Sequence, residues 1–400
     1  MQYTNPVLKG FYPDPSVCAA NGKFYLACSS FQYFPGVPLF ESDDLVNRTQ
    51  IGHVLTRRSQ VMPEKVASSG GVFAPTLRYH DGRFYMVTNN NTTSENFYVY
   101  TDDIYGEWSE PITVDQGGID PSLLFDQEHV YFISNGQDDK GVNSVIQCEI
   151  DIETGKKLSP SKPIWQGAGG RYLESPHMYH IGNSYYPVVA EGGTEYGHMI
   201  AYGKSENVWG PFENYPHNPV LTNRNKAPEI IQGIGHGDLV QKADGSWYIM
   251  ALDFRQIHPW QPFHHLGRET FLIPVSFHFD GWFTAGNGTA EASYEIPGSF
   301  VQQINRNPGR SSAWAIPNTS PAKWQAASPV LSWGYTPSGK IPLSLQASAA
   351  NTFRGIHSPL KLIHRQVLSV RQPACLFGSG SSAHLPAPVA LSLLPSASLL

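Results

Sequence analysis

The chain has 400 residues, of which 40% are hydrophobic and 12% aromatic, so it can bury a large core and hold one large domain with a smaller second one. Its formal net charge of −6 argues against nucleic acid or an anionic membrane surface as the partner. No apolar run reaches the roughly 18 residues that a membrane-spanning helix needs.

The N-terminal residues 1–6 contain neither the basic region nor the apolar region of a signal peptide. As written, the chain is therefore expected to be cytoplasmic. If its start has been assigned wrongly, a secreted protein is the alternative. Oligomeric state cannot be read from the sequence.

A twelve-residue pattern occurs five times along the chain. Each copy contains a turn, such as Asn21-Gly22 or Asp81-Gly82, followed by an aromatic pair, such as Phe24-Tyr25, which is typical of a β-hairpin. The copies are Asp14–Tyr25, Ala74–Tyr85, Asp120–Tyr131, Ser175–Tyr186 and Gly237–Tyr248.

The copies start 60, 46, 55 and 62 residues apart, which leaves room for four strands per unit. We therefore predict an all-β fold, a five-bladed β-propeller over residues 1–295. In a propeller the innermost strand of every blade lines the central channel, so equivalent positions in the five copies converge near the axis.

The first repeat position and the position before it carry the polar residues expected at this axis. The first position reads Asp14, Ala74, Asp120, Ser175 and Gly237, and the preceding one reads Pro13, Phe73, Ile119, Glu174 and His236. Three carboxylates and one histidine are therefore predicted to crowd one spot, where repulsion and burial raise the pKa of at least one acid.

Two close carboxyl groups with different proton affinities are what glycoside hydrolysis requires, one as acid and one as base. Aromatic side chains around the site would suit the apolar faces of a sugar ring. They are Phe11, Tyr12, Phe31, Tyr33, Phe34, Phe73 and Tyr172.

Each candidate also has a structural interpretation. Asp14 and Asp120 precede prolines and could simply start turns, whereas Glu174 has no such role. His236 could be a core histidine or could hold a water molecule or a cation in the channel. Arg268 could be a surface arginine or the charge that balances the carboxylates.

The C-terminal part of the chain differs in composition from the rest. All 33 acidic residues lie at or before Glu295, and the following 105 residues contain 8 Lys and Arg but no carboxylate. Residues 296–400 are therefore predicted to be a low-complexity tail, disordered or aberrantly translated, with a small second domain as the alternative. The cysteines Cys18, Cys28, Cys148 and Cys375 lack metal-site spacing and are expected to be free buried thiols.

Seven motifs together resemble one enzyme family. They are Asn5–Ser16, Ser29–Pro38, Gly118–Leu123, Glu174–Tyr179, Ala190–Thr194, Gly235–Leu239 and His265–Thr270. Over residues 3 to 285 the chain resembles glycoside hydrolase family 43, most closely its β-xylosidase and α-L-arabinofuranosidase branch. That branch usually adds a C-terminal β-sandwich domain, which the tail does not resemble.

The resemblance implies roles for the site residues. Asp14 would be the general base, Glu174 the general acid and Asp120 the residue that tunes the pKa of the acid and orients it. The reaction would invert the configuration of the anomeric carbon, and the carboxyl groups of the acid and the base would lie about 6.5–9.5 Å apart.

The resemblance further implies a sugar subsite shaped by aromatic rings and an arginine. Phe31 and Phe73 would shape the subsite, and Arg268 would contact the sugar or the carboxylates. His236 would lie on the axis, where some relatives hold calcium. No cofactor is expected to be required, and a structural calcium ion is a candidate beside His236.

The leading hypothesis is an exo-acting glycosidase that releases terminal β-D-xylosyl or α-L-arabinofuranosyl units from xylan-derived oligosaccharides. The sequence does not decide between the two sugars. A catalytically silent carbohydrate-binding propeller that has lost its sandwich domain is the alternative, and a protein-interaction propeller is disfavoured by three acids on its axis.

Overall fold

The computed structural model describes residues 2–62 and 65–297. Apart from residues 296 and 297, the predicted tail lies outside the described residues, so its expected disorder stays a prediction. Within the described part of the chain, no helix is long and apolar enough to cross a membrane.

The described residues form five four-stranded antiparallel sheets, and the strands of each sheet follow one another in chain order. Blade one contains β2 (Ser16–Ala20), β3 (Lys23–Ala27), β4 (Gly36–Ser42) and β5 (Thr49–Leu55). Blade two contains β6 (Thr76–His80), β7 (Arg83–Asn90), β8 (Glu95–Thr101) and β9 (Ile112–Val114). Blade three contains β10 (Ser122–Asp126), β11 (His129–Gln137), β12 (Asn143–Glu149) and β13 (Lys162–Trp165).

The last two blades have the same order. Blade four contains β14 (Glu174–Ile181), β15 (Ser184–Glu191), β16 (Met199–Lys204) and β17 (Glu213–Asn214). Blade five contains β18 (Ile231–Gln241), β19 (Trp247–Arg255), β20 (Glu269–Phe277) and β21 (Phe283–Ala285), followed by a short 3-10 helix at Gly286–Gly288. The predicted five-bladed propeller is confirmed, and each twelve-residue repeat forms the first hairpin of a blade.

The N-terminal strand β1 (Gln2–Thr4) pairs antiparallel with the last described strand, β22 (Glu295–Pro297). The side chain of Tyr3 is buried and its hydroxyl donates to the carbonyl of Leu272 at 3.0 Å. The side chain of Asn5 also bonds to the backbone of Leu272, as both donor and acceptor. The start of the chain is therefore attached to blade five, beside blade one.

Five hydrophobic clusters in the described residues each join two neighbouring blades. Between blades one and two, for example, Tyr25 packs in one cluster with Leu77 and Met86. The inner strands are therefore buried along most of their length, as β7 and β18 show. Cys18, Cys28 and Cys148 are buried free thiols within these layers, as predicted, whereas Cys375 lies outside the described residues.

A buried polar network connects four blades along the axis. The carboxylate of Asp238 is paired with the guanidinium of Arg78 at 2.9 Å. It accepts a hydrogen bond from the hydroxyl of Ser16 at 2.5 Å. It also accepts hydrogen bonds from the backbone N–H of Val17 at 2.9 Å and from the hydroxyl of Tyr179. These contacts join blade five to blades one, two and four.

We predict that Asp238→Ala lowers the free energy of unfolding by about 3–5 kcal/mol, because it leaves the Arg78 charge buried without its partner. Burial alone would raise the pKa of Asp238, but Arg78, His177 and Ser16 lower it well below its usual range. The stabilisation is thus complete above the unfolded-state pKa of about 3.9 and is lost as the pH falls.

Urea denaturation of Asp238→Ala and wild type measures this loss. Asp102→Ala is the matched control, because Asp102 forms an exposed pair with Arg83 at 2.8 Å and its loss should cost far less. Equal destabilisation by the two variants would contradict the assignment.

Candidate active site

A cavity of about 370 Å³ opens where the first strands of the blades converge. It is lined by Asp14, Phe31, Phe73, Ala74, Ile119, Asp120, Glu174, Thr194, His236 and Arg268. All seven side chains that were predicted to act in catalysis or substrate binding therefore line this cavity. Of the other aromatic residues expected around the site, Tyr33, Phe34 and Tyr172 do not line it.

The backbone turns these side chains towards the channel just before or within the first strands. Asp14 and Asp120 have φ angles of 54° and 52°, and Ser175, at the equivalent position in blade four, has 54°. His236 has a φ angle of 47°. Left-handed conformations are uncommon for residues other than glycine and are concentrated at functional sites.

Asp14 is buried and surrounded by groups that stabilise its charge. Its Oδ1 accepts a hydrogen bond from Arg268 at 2.9 Å, and its Oδ2 accepts one from the hydroxyl of Ser29. The Nδ1 of His236 lies 3.7 Å from Oδ1. Burial raises the pKa of Asp14, but Arg268, His236 and Ser29 together outweigh it and lower the pKa below its ordinary value. Asp14 is therefore an anion at neutral pH.

Asp120 lies in a different electrostatic environment. Its Oδ2 accepts the backbone N–H of Ser175 at 2.9 Å and lies 4.0 Å from Nδ1 of His236. The pKa of Asp120 is raised to about 7, mainly because the side chain is buried. Repulsion from Glu174 and Asp14 raises it further, whereas His236 lowers it. Asp120 can thus exchange a proton near neutral pH.

Glu174 is the first residue of β14, and its Cα is paired with that of Ala190 on β15. The register shifts directly after it, which is typical of a β-bulge that redirects a side chain. Burial raises the pKa of Glu174, and the charge of Asp14 raises it further while Arg268 opposes both. Glu174 is more exposed to the cavity than Asp120, so of these two carboxyl groups it is the one that a ligand reaches first.

Two phenylalanine rings form an apolar wall of the cavity. The rings of Phe31 and Phe73 are 5.4 Å apart, and the guanidinium of Arg268 lies 5.1 Å from the centre of the Phe31 ring. Phe11 extends this wall, 5.8 Å from Phe31. Tyr12, also predicted to be near the site, packs edge-on against Phe40 and does not line the cavity.

His236 lies between Asp14 and Asp120, which agrees with its predicted axial position. Two carboxylates, those of Asp14 and Asp120, lie within 4.0 Å of its Nδ1, fewer oxygen atoms than the six to eight ligands that calcium prefers. In the described part of the chain, no group of three or more His, Cys, Asp or Glu side chains is placed to hold a metal ion. The candidate calcium ion stays a prediction.

The sequence analysis did not single out two residues of the site, Ser29 and Thr194. Ser29 donates a hydrogen bond to Asp14, and Thr194 lines the cavity. Both lie in motifs that carried the family resemblance, Ser29–Pro38 and Ala190–Thr194. The motifs therefore pointed to both residues, although the sequence could not show which side chains they would contact.

The family model described as Glycosyl hydrolases family 43 matches residues 3–283, which include the whole cavity. The chain belongs to glycosyl hydrolase family 43.

This family-43 chain is 42% identical over 300 residues to one relative, the non-reducing end alpha-L-arabinofuranosidase of Bacteroides ovatus. The match covers 74% of this chain and 56% of that protein. It is 38% identical over 317 residues to a beta-xylosidase of Bacillus subtilis, covering 74% and 59%. Among solved structures, a xylan beta-1,4-xylosidase of Bacillus halodurans is 34% identical, with a TM-score of 0.68 over 73% of this chain and 58% of that one. The chain thus spans between 56% and 59% of the length of these relatives.

Proposed function

We propose that this protein is an exo-acting, inverting glycoside hydrolase that releases terminal β-D-xylosyl or α-L-arabinofuranosyl units from xylan-derived oligosaccharides. The observation that carries the proposal is that Asp14 and Glu174 line one cavity while only Asp14 is bonded to Arg268, at 2.9 Å. The pKa is accordingly lowered for Asp14 and raised for Glu174. Opposite shifts in a shared site are how enzymes separate a general base from a general acid.

In the proposed reaction Glu174 gives its proton to the glycosidic oxygen as the bond from that oxygen to the anomeric carbon breaks. Asp14 takes a proton from a water molecule, whose oxygen forms the new bond to the anomeric carbon from the opposite face. The water adds from the face opposite the leaving group, so the configuration inverts. Asp120 is assigned the tuning and orientation of Glu174, and repulsion from Glu174 raises the pKa of Asp120 itself. Arg268 keeps Asp14 ionised.

The size and lining of the cavity support exo action. Its volume of about 370 Å³ lies near the lower end of the range for ligand sites, about 300–1,000 Å³. A site of this size suits one terminal sugar better than the interior of a long chain. Phe31 and Phe73 would pack against the apolar faces of that sugar.

The names of the relatives include both an arabinofuranosidase and xylosidases, which supports these two sugars as the substrate class. Release of nitrophenol from nitrophenyl β-D-xyloside and nitrophenyl α-L-arabinofuranoside tests the proposal. Hydrolysis of either substrate is expected. Binding of xylo-oligosaccharides without hydrolysis of any glycoside would instead indicate a silent carbohydrate-binding propeller.

We predict that Arg268→Gln shifts both limbs of the pH profile of kcat/KM to higher pH. Arg268 lowers the pKa of both Asp14 and Glu174, so its loss raises both. The base then needs a higher pH to ionise, and the acid keeps its proton to a higher pH. Arg268→Lys retains the charge and is the control. An unchanged acidic limb in Arg268→Gln would contradict the role of Arg268.

A further inference from the structure

Glu191 is a buried carboxyl group that the proposed reaction does not use. It is the last residue of β15 and follows Ala190, whose Cα is paired with that of Glu174. Its side chain is 0% exposed and does not line the cavity. Glu191 is therefore close to the proposed acid in the fold, but substrate cannot reach it.

The side chain of Glu191 holds the connector that leads into Glu174, residues 166–173 between β13 and β14. Its Oε1 accepts a hydrogen bond from the backbone N–H of Ala168 at 2.9 Å. The N–H groups of the next two residues, Gly169 and Gly170, lie close enough to the carboxyl group to lower its pKa. The adjacent Gly192 continues this attachment, because its N–H donates to the carbonyl of Arg171 at 2.7 Å. Four consecutive residues, 168–171, are thus fixed to the end of β15.

The connector is packed so closely against Glu191 that two of its glycines have no room for a side chain. A Cβ atom at Gly167 would lie 2.2 Å from Oε1 of Glu191. At Gly170 it would lie 2.7 Å from Cβ of Glu191 and 2.6 Å from the methyl group of Met199. The position of the connector is therefore determined by the position of Glu191.

This arrangement is costly for stability. Burial raises the pKa of Glu191, although the three backbone N–H groups and Arg224 oppose the shift. Its second oxygen, Oε2, is buried and has no hydrogen-bond partner among the described residues. Buried polar atoms without partners are rare and destabilising, and departures of this kind are concentrated at functional sites.

We propose that Glu191 is a positioning residue for Glu174: by fixing connector residues 168–171, it sets where the carboxyl group of Glu174 enters the cavity. The inference rests on the proposed role of Glu174 as general acid. Without the carboxyl group of Glu191 and its hydrogen bond from Ala168, the connector would be free to shift, and the proton of Glu174 would lose its alignment with the leaving oxygen.

The test compares Glu191→Ala, Glu191→Gln and the control Asp44→Ala. Asp44 also accepts two backbone N–H bonds, from Val46 at 2.8 Å and Asn47 at 2.7 Å, but lies in blade one outside the cavity. Glu191→Ala should lower kcat for xylobiose about 10- to 100-fold, part of the 10²–10⁴-fold contribution of acid–base catalysis. For a dinitrophenyl xyloside, whose leaving group needs no proton, kcat should change less than about 3-fold.

Glu191→Gln keeps an oxygen that accepts the backbone N–H groups, so it should restore most of the activity on xylobiose. Asp44→Ala should retain wild-type kcat on both substrates. An equal loss on both substrates in Glu191→Ala would show a general structural role and overturn the inference.

Amide hydrogen exchange decides the positioning role independently of activity. The amides of Ala168, Gly169 and Gly170 should exchange faster in Glu191→Ala than in wild type or Asp44→Ala. Unchanged exchange would overturn the inference even in an active enzyme. If wild type hydrolyses no glycoside, the proposed function is wrong, and faster exchange would still support control of the connector by Glu191.

Discussion

Replacing Glu174 with glutamine is expected to lower kcat/KM for xylobiose by about 10²–10⁴-fold. The amide cannot donate the proton that the departing sugar oxygen needs, whereas in the wild type burial and the charge of Asp14 raise the pKa of Glu174 and favour its protonated form. A dinitrophenyl xyloside should be much less affected, because its leaving group departs as a stable anion. Steady-state kinetics with both substrates measure the difference.

Glu195→Gln is the matched control, because Glu195 is an exposed glutamate outside the cavity lining, close in sequence to Thr194. It should retain wild-type kinetics on both substrates. A loss in Glu174→Gln of the same size for xylobiose and for the dinitrophenyl xyloside would show that Glu174 is not the acid.

Asp14→Ala is expected to abolish hydrolysis to a similar extent, about 10²–10⁴-fold in kcat, because no other carboxylate in the cavity is held ionised to the same degree. Azide should restore part of the turnover. It would enter the space left by the carboxylate and form a bond from nitrogen to the anomeric carbon, while Glu174 still protonates the departing oxygen. The product would be a glycosyl azide of inverted configuration, identifiable by NMR.

Two comparisons make this result specific. Asp43→Asn changes an exposed aspartate in the same blade and should retain activity. Circular dichroism should show that Asp14→Ala keeps the propeller fold despite the loss of the ion pair with Arg268. Recovery of a glycosyl azide with retained configuration would contradict the role of Asp14 as base.

The repeat in the sequence was sufficient to predict the propeller and much of its axis. Because every copy begins at the same point of its blade, residues at equivalent repeat positions lie close together in the structure. Asp14, Asp120, Glu174 and His236 accordingly line one cavity. In the first hairpin Cys18 lies opposite Tyr25, since the two-residue turn at Asn21-Gly22 fixes the register.

Contacts between distant parts of the chain were less accessible from the sequence. Arg268 follows Asp14 by 254 residues and lies outside the repeat, so the sequence left open whether it is a surface arginine or the charge that balances the carboxylates. Asp238 occupies the repeat position that holds proline in the other four copies, a visible irregularity whose partner Arg78 could not be deduced. Glu191 acts on a connector that carries no repeat pattern, so the packing of that connector had to be seen in the structure.

The most direct test of the proposed reaction is proton NMR of the sugar released in the first minutes of hydrolysis of nitrophenyl β-D-xyloside. If Asp14 activates water on the face opposite the leaving group, α-xylose is the first product, and its anomeric signal appears before mutarotation forms the β-anomer. Initial release of β-xylose would contradict inversion and the assignment of Asp14 as general base.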